Sequence, residues 1–134
     1  MLTLTKDLET GVAKIDEQHK ELVNRINAAI TMGTAATSKE ETKKKLDFLE
    51  EYVIKHFGDE ESLQRQSRFP KYDQHREQHK AFIAEMKKMK EEFAANGPSA
   101  KFTVSLKTSV INWVIKHIKG YDVEFAKYYR EQNP

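Results

Sequence analysis

The sequence predicts an all-α protein, an up-down-up-down four-helix bundle with a short N-terminal arm and a short C-terminal helix. Two observations support this prediction. Apolar residues recur at steps of three and four in four long segments, which is the period of an amphipathic helix. Most of the glycines and prolines lie in the short stretches between those segments, where they end helices and form turns. A chain of 134 residues has the length of one domain.

The four segments carry apolar stripes that we expect to face one core. The second segment is predicted to begin at a capping box, in which the Ser38 hydroxyl and the Glu41 carboxylate each bond a free backbone amide. Gly58 is the one glycine that falls inside a helical pattern. The stripe residues, in chain order, are Ile15, Leu22, Val23, Ile26, Ala29, Ile30, Leu46, Leu49, Val53, Leu63, Tyr72, Phe82, Met86, Met89, Phe93, Leu106, Val110 and Trp113.

All five histidines and one glutamate continue these stripes, so they are also expected to face the core. Burying a polar group without a partner costs about 1–3 kcal/mol by mutational data. Several such groups would strain a domain whose net stability is only about 5–15 kcal/mol. A metal ion satisfies them, because neutral imidazole and ionised carboxylate are both metal ligands. The residues are His19, His56, Glu60, His75, His79 and His117.

The spacing within these segments suits chelation. His75 and His79 are four residues apart, so both lie on one face of a helix, one turn from each other, and can bind one ion. His56 and Glu60 have the same spacing, and Glu60 can alternatively reach a second ion.

The fourth segment needs a partner for His117, and spacing alone leaves three candidates. Tyr121 and Glu124 are well aligned with His117 on a regular helix, whereas Asp122 is about 140° around it. A kink or bulge at Gly120 would invalidate this helical spacing.

The composition excludes several classes of protein. With no cysteine, the chain has no disulfide, thiolate metal site or cysteine nucleophile. The 23 basic and 21 acidic residues are well mixed, so no nucleic-acid partner is expected. No apolar run approaches the roughly 18 residues of a membrane span, and the N-terminus lacks the pattern of a signal peptide. We therefore expect a cytoplasmic protein and, without a long apolar surface patch, a monomer.

Four motifs together resemble the hemerythrin family, most closely its bacterial single-domain members. They are IDEQHK at 15–20, HFGDEE at 56–61, HREQH at 75–79 and HIKGYD at 117–122. The resemblance includes their order and spacing and covers nearly the whole chain. It implies a single hemerythrin-like domain over residues 1–134 that holds two non-haem iron ions. The N-terminal arm departs from many bacterial members because it has no tryptophan.

The resemblance also implies the ligands. It selects Asp122 over Tyr121 and Glu124, and it favours Glu60 over Asp59 and Glu61. One iron would be bound by three histidines and the other by two, and both would share the two bridging carboxylates. The implied ligands are His75, His79 and His117 for the first iron, His19 and His56 for the second, and Glu60 and Asp122 for both.

The function implied is reversible dioxygen binding for storage, delivery or buffering, rather than enzymatic activity. A bridging oxide or hydroxide would complete the centre, and one position would stay open to dioxygen on the iron with two histidines. Phe57, Trp113 and Ile118 are candidates for an apolar shell around it. An oxygen-consuming enzyme would be a possible recipient. The alternatives are a di-iron oxidase, peroxidase or nitric-oxide or iron-handling protein at the same site, and a zinc-stabilised bundle. Zinc prefers four ligands, so this larger set suits it poorly.

Overall fold

Four long helices form the computed structural model, which describes residues 2–32, 39–97 and 99–132. Helix α1 is Ala13–Met32, α2 is Lys39–Gln66 and α3 is Tyr72–Asn96; we call the helical residues 100–132 helix α4. Helix α1 packs on α2, α2 on α3 and α3 on α4, and α4 also contacts α1. The predicted all-α four-helix bundle is confirmed.

The direction of the helices follows from where their histidines lie. His19 is near the start of α1 and His75 is near the start of α3, whereas His56 and His117 lie in the later parts of α2 and α4. These side chains meet at one level of the bundle. Consecutive helices therefore run in opposite directions.

Helix α4 contains two π-helical turns, Lys107–Ile111 and Ile118–Asp122. The residues at the ends of both turns keep right-handed helical backbone angles, so the helix is not interrupted. The predicted C-terminal helix is present as Val123–Gln132, and it continues the fourth helix through the second π turn. Gly120 does not break the helix, and a Cβ atom at this position would meet nothing within 4 Å.

Hydrogen bonds and left-handed backbone conformations at the helix ends allow the chain to turn within short connections. The Asp16 carboxylate accepts hydrogen bonds from the backbone amides of Thr10 and Gly11 at 2.9 and 3.2 Å, before α1 begins. Between α2 and α3, Arg68 takes the left-handed backbone conformation with φ 56°. Gly97, with φ 70°, ends α3 and donates its N–H to the Phe93 carbonyl. The predicted capping residue Ser38 and the breaks at Gly33 and Pro98 lie outside the described residues.

The predicted apolar stripes form the core. Leu63, Tyr72 and Trp113 are only partly buried, and the other stripe residues are buried, apart from Ile30, whose side chain lies outside the described part. A large apolar cluster occupies most of the bundle, and a small one contains Ile15, Phe69 and Phe125.

The N-terminal arm is anchored without a tryptophan. Leu2 and Leu8 are buried in the large cluster. The Asn27 amide also pairs with the backbone N–H and carbonyl of Leu2 at 2.8 and 2.9 Å. None of the described helices is long and apolar enough to cross a membrane.

Leu49 and Ile54 provide a matched test of the core on α2. Leu49 is fully buried, whereas Ile54 is 47% exposed. Leu49→Ala should lower the free energy of unfolding by about 2–5 kcal/mol because it removes packed methyl groups and leaves a cavity. Ile54→Ala should change it by less than about 1 kcal/mol. Urea titration of both variants at equal metal content measures this, and equal losses would contradict the assignment of the core.

Candidate metal centre

Seven buried side chains from all four helices meet in two groups that could each hold a metal ion. The ligand atoms within a group lie within 4.8 Å of one another. The three-histidine group consists of Glu60, His75, His79, His117 and Asp122, and the two-histidine group consists of His19, His56, Glu60 and Asp122. All seven residues predicted from the sequence are thus brought together, and both carboxylates belong to both groups.

The three-histidine group has the spacing of ligands around one ion. His117 Nε2 lies 3.0 Å from His75 Nε2 and 3.1 Å from His79 Nε2. Glu60 Oε1 lies 2.9 and 3.2 Å from the same two nitrogens, and Asp122 Oδ1 lies 2.9 Å from His75 Nε2. Adjacent ligands of an octahedral ion with bonds of about 2.1 Å are about 3.0 Å apart. The three imidazoles and two carboxylates therefore fit a shared cation.

The two-histidine group lies on the other side of Asp122. The Asp122 Oδ2 atom lies 2.9 Å from His19 Nε2, while Oδ1 faces the three-histidine group. The rings of His19 and His56 are 4.9 Å apart and nearly perpendicular. One carboxylate thus presents a different oxygen to each group, which is the arrangement of a bridging ligand.

The π turn Ile118–Asp122 brings Asp122 to His117. In a π turn the backbone bond spans five residues rather than four, so residues at i and i+5 share a face. The Asp122 Oδ1 atom therefore lies 3.1 Å from His117 Nε2. Tyr121, in contrast, is 39% exposed, and Glu124 is exposed and paired with Lys71. A bulge at this position was one of the possibilities that the sequence left open.

Several ligand-type atoms in the cluster have no hydrogen bond to any residue that the structure describes. They include both Glu60 oxygens, both His19 nitrogens and Asp122 Oδ2. Although His19 Nε2 and Asp122 Oδ2 are 2.9 Å apart, their angles are not those of a hydrogen bond. An unsatisfied buried polar atom costs about 1–3 kcal/mol. A cation between the groups would satisfy the carboxylate oxygens and one nitrogen of His19.

The electrostatics of the cluster also favour a cation. Burial alone would raise the pKa of Asp122, but His117, His19 and His75 outweigh it and hold that pKa well below its usual range. The carboxylate is therefore ionised, as a metal ligand must be. Burial lowers the pKa of His56 to about 4, which keeps its imidazole neutral and able to donate a lone pair.

His75 differs, because its two carboxylate neighbours stabilise its charged form. Burial lowers its pKa, but Asp122 and Glu60 outweigh burial and raise the pKa to about 9. In the absence of metal, a proton on His75 thus balances part of the buried negative charge. A metal ion that binds Nε2 must displace that proton, so metal binding and proton release are linked.

Three ligand-type imidazoles are held through their Nδ1 atoms. His56 Nδ1 lies 2.8 Å from Gln18 Oε1, and the Gln18 amide in turn donates to Asp59 at 2.7 Å. His79 Nδ1 lies 3.0 Å from a carboxylate oxygen of Glu61. An Nδ1–H group that donates to these oxygens leaves Nε2 with the free lone pair that a metal requires.

Gln64 contacts the third imidazole, with its amide Nε2 atom 2.7 Å from His75 Nδ1. The orientation of such an amide is assigned from its hydrogen bonds. With the amide oxygen turned towards His75, Nδ1–H donates to it, and the buried Gln64 oxygen gains the partner it otherwise lacks.

Aromatic rings stack against two imidazoles of the three-histidine group. Phe57 stacks on His79 at 3.8 Å and 4°, and Trp113 stacks on His117 at 4.3 Å and 11°. The Tyr121 ring is also nearly parallel to His117, at 5.3 Å. Phe57 and Trp113 were expected to shield the centre, and their stacking contacts are with the three-histidine group. Ile118 is buried in the large apolar cluster.

The residues that hold the imidazoles were not predicted from the sequence. Gln18 immediately precedes His19, Glu61 follows Glu60, and Gln64 lies one turn further along α2. Their positions next to ligand-type residues are the only signal in the sequence, since polar residues at such positions are also typical of a solvated helix face.

The fold and the cluster together define a class: a helical-bundle, metal-binding protein whose buried histidines and carboxylates fit a non-haem di-iron site. A family model described as the hemerythrin HHE cation binding domain matches residues 10–129. The chain therefore belongs to the hemerythrin family, and the resemblance seen in its motifs is confirmed.

Individual relatives agree with this assignment. The chain is 27% identical over 130 residues to a bacteriohemerythrin of Stenotrophomonas maltophilia, covering 94% of this chain and 80% of the relative. It is 30% identical over 122 residues to a bacteriohemerythrin of Campylobacter jejuni, covering 88% and 87%. A crystal structure of wild-type hemerythrin has a TM-score of 0.81 over 96% of this chain and 97% of that chain, with 23% identity. That likeness supports the fold.

Metal removal should destabilise the protein, because it leaves the buried carboxylates without a cation. The melting temperature should fall by roughly 10 °C or more after chelation, since 1 kcal/mol corresponds to about 3–5 °C at this size. Calorimetry of loaded, stripped and reloaded protein measures the change. Reloading should restore the original value, and an unchanged melting temperature in stripped protein would count against the metal centre.

Proposed function

We propose that this chain holds two iron ions in the buried cluster and binds dioxygen reversibly there, to store, deliver or buffer oxygen. The two carboxylates shared by both groups carry the proposal, because a pair of bridging carboxylates places two ions side by side. The proposed ligands are His75, His79 and His117 for one iron, His19 and His56 for the other, and Glu60 and Asp122 for both. We also propose that residues 1–134 form a single hemerythrin-like domain.

We infer the position of the dioxygen site from a count of the proposed ligands. At one atom per residue, the three-histidine group offers five ligand atoms and the two-histidine group offers four. With an oxide or hydroxide between the ions, an octahedral iron would be complete beside His75, His79 and His117. One position would remain beside His19 and His56, and it is available to dioxygen. Two ferrous ions held by these residues would together supply the two electrons that this binding requires.

The protein favours reversible binding in two ways. Only two of the seven proposed ligands are charged, so the site carries less negative charge than the carboxylate-rich sites that stabilise higher oxidation states. The cluster is also closed to water, since the imidazole of His117, the most exposed of the seven, is only 4% exposed. Phe57 and Trp113 cover two imidazoles with apolar rings. Exclusion of water limits the proton supply that would release reduced oxygen and leave the irons oxidised.

The family assignment agrees with the proposed binding of dioxygen. Hemerythrins and bacteriohemerythrins are oxygen-binding proteins rather than enzymes, as expected for this chain. The ligand set exceeds the four ligands that zinc prefers, which disfavours a zinc-stabilised bundle. A cytoplasmic location, a monomeric state and transfer of oxygen to an oxygen-consuming enzyme stay predictions.

Asp122→Ala tests the ligand set because Asp122 has one oxygen directed at each group. The variant should lose the paired iron centre and keep at most about one iron per chain. Metal analysis, with helix content from circular dichroism as a check on folding, measures this. Asp122→Asn, which keeps the side-chain volume but removes the charge, should show the same direction of change.

Glu124→Ala is the matched control for that experiment. Glu124 lies two residues further along α4, but it is exposed and paired with Lys71. At equilibrium this variant should contain as much iron as the wild type. If Glu124→Ala lost its iron while Asp122→Ala kept it, the π turn would not position the ligand as proposed.

An oxygenation cycle tests the function itself. The protein is reduced without air, exposed to oxygen and then placed under vacuum, and absorption spectra and iron content are taken from the same sample. We expect about two irons per chain and a visible band that appears with oxygen and disappears under vacuum. A band that decays irreversibly, with peroxide released or a substrate consumed, would instead favour the oxidase or peroxidase alternative.

A further inference from the structure

The metal cluster is sealed, so an ion cannot reach it without local movement. The ligands come from four packed helices, and the seven side chains are at most 4% exposed. A metal centre in a folded bundle therefore needs a route through which ions are gained and lost. Part of the protein must therefore open before an ion can reach the proposed ligands.

One surface cavity reaches a member of the cluster. It has a volume of about 190 Å³ and lies between the start of α3 and the second π turn of α4. His75 is one of the residues that line it. The other lining residues are Phe69, Lys71, Gln74, Tyr121 and Glu124.

Tyr121 lines this cavity and also packs against the cluster. Its ring lies 5.6 Å from the ring of His75 and stacks nearly parallel to His117 at 5.3 Å. It thereby covers two of the three imidazoles in one group. Tyr121 is nevertheless 39% exposed, so part of this side chain already faces solvent.

Two of the lining residues, Lys71 and Glu124, form an ion pair. Lys71 Nζ lies 2.6 Å from Glu124 Oε1, and these side chains are 58% and 49% exposed. An ion pair this exposed contributes only about 0–1 kcal/mol, so it opens readily. Once open, Glu124 presents a free carboxylate to cations beside the cavity, and a negative charge at such an entrance raises the local concentration of divalent ions.

We propose that this cavity is the route by which divalent metal ions enter and leave the cluster. Glu124 is a transient ligand at the mouth, and Tyr121 is the barrier that moves aside to expose His75 and His117. The inference rests on the proposed function, because it concerns ions bound by the ligand set described there.

Metal release from the loaded protein tests this route. Protein loaded with ferrous iron without air is mixed with an excess of an iron(II) chelator that becomes coloured on binding, and the rate of colour formation is followed. Tyr121→Ala should release iron roughly tenfold faster, because it removes the barrier. Tyr121→Phe keeps the ring and should restore slow release.

A variant with the opposite expected effect distinguishes an ion route through the cavity from weaker metal binding at the cluster. Gln74 is an exposed wall residue and does not belong to the cluster. Gln74→Trp fills the cavity and should slow release severalfold, with the same initial iron content as the wild type. Faster release from Tyr121→Ala combined with unchanged release from Gln74→Trp would overturn the proposal, since loss of stacking on His117 alone explains that pair of results.

Failure of the route and failure of the proposed function give different results. If wild-type protein holds two irons but releases them at the same rate in all variants, the route is wrong and the ligand set stands. If wild-type protein holds no iron after anaerobic loading, the ligand set is wrong, and the proposed route is overturned with it.

Discussion

The structure depends on two carboxylates buried in an apolar bundle. Glu60 and Asp122 are fully enclosed, and each belongs to both groups of histidines. Negative charge at such a depth is unfavourable unless positive charge compensates it. The helices supply imidazoles on every side, and a metal pair would supply the rest of the charge. The packing of the four helices around Glu60 and Asp122 therefore depends on the interaction of these carboxylates with positive charge as well as on apolar contacts.

This polar level separates the interior into two unequal parts. Along α1, Ile15 belongs to the small apolar cluster and Leu22 to the large one, with His19 between them. Helix α4 runs in the opposite direction and shows the same order in space. Ile118 belongs to the large cluster and Phe125 to the small one, on either side of Asp122. The ligand residues therefore lie between the large and the small apolar cluster.

The sequence predicted the bundle and the cluster because every histidine falls on an apolar stripe, where a surface role is excluded. It could not select the carboxylate on α4, because regular helical spacing favours Tyr121 or Glu124 over Asp122. Only the resemblance to known motifs resolved this, and the π turn gives the physical reason. The partners Gln18, Glu61 and Gln64 could not be predicted, since contacts between helices are needed to distinguish them from ordinary polar residues.

The second π turn has a consequence for how this helix tolerates change in length. Such a turn is equivalent to one residue inserted into an α-helix, and each residue of an α-helix advances the chain by about 100°. Deleting one residue from Ile118–Asp122 would restore regular geometry and leave the remainder of α4 in phase, whereas forcing all five residues into a regular α-helix would rotate that remainder by this angle. Phe125 and Ala126, which are fully buried, would then turn away from the interior. The π turn therefore absorbs one extra residue, so that Asp122 and the C-terminal packing residues both face the interior.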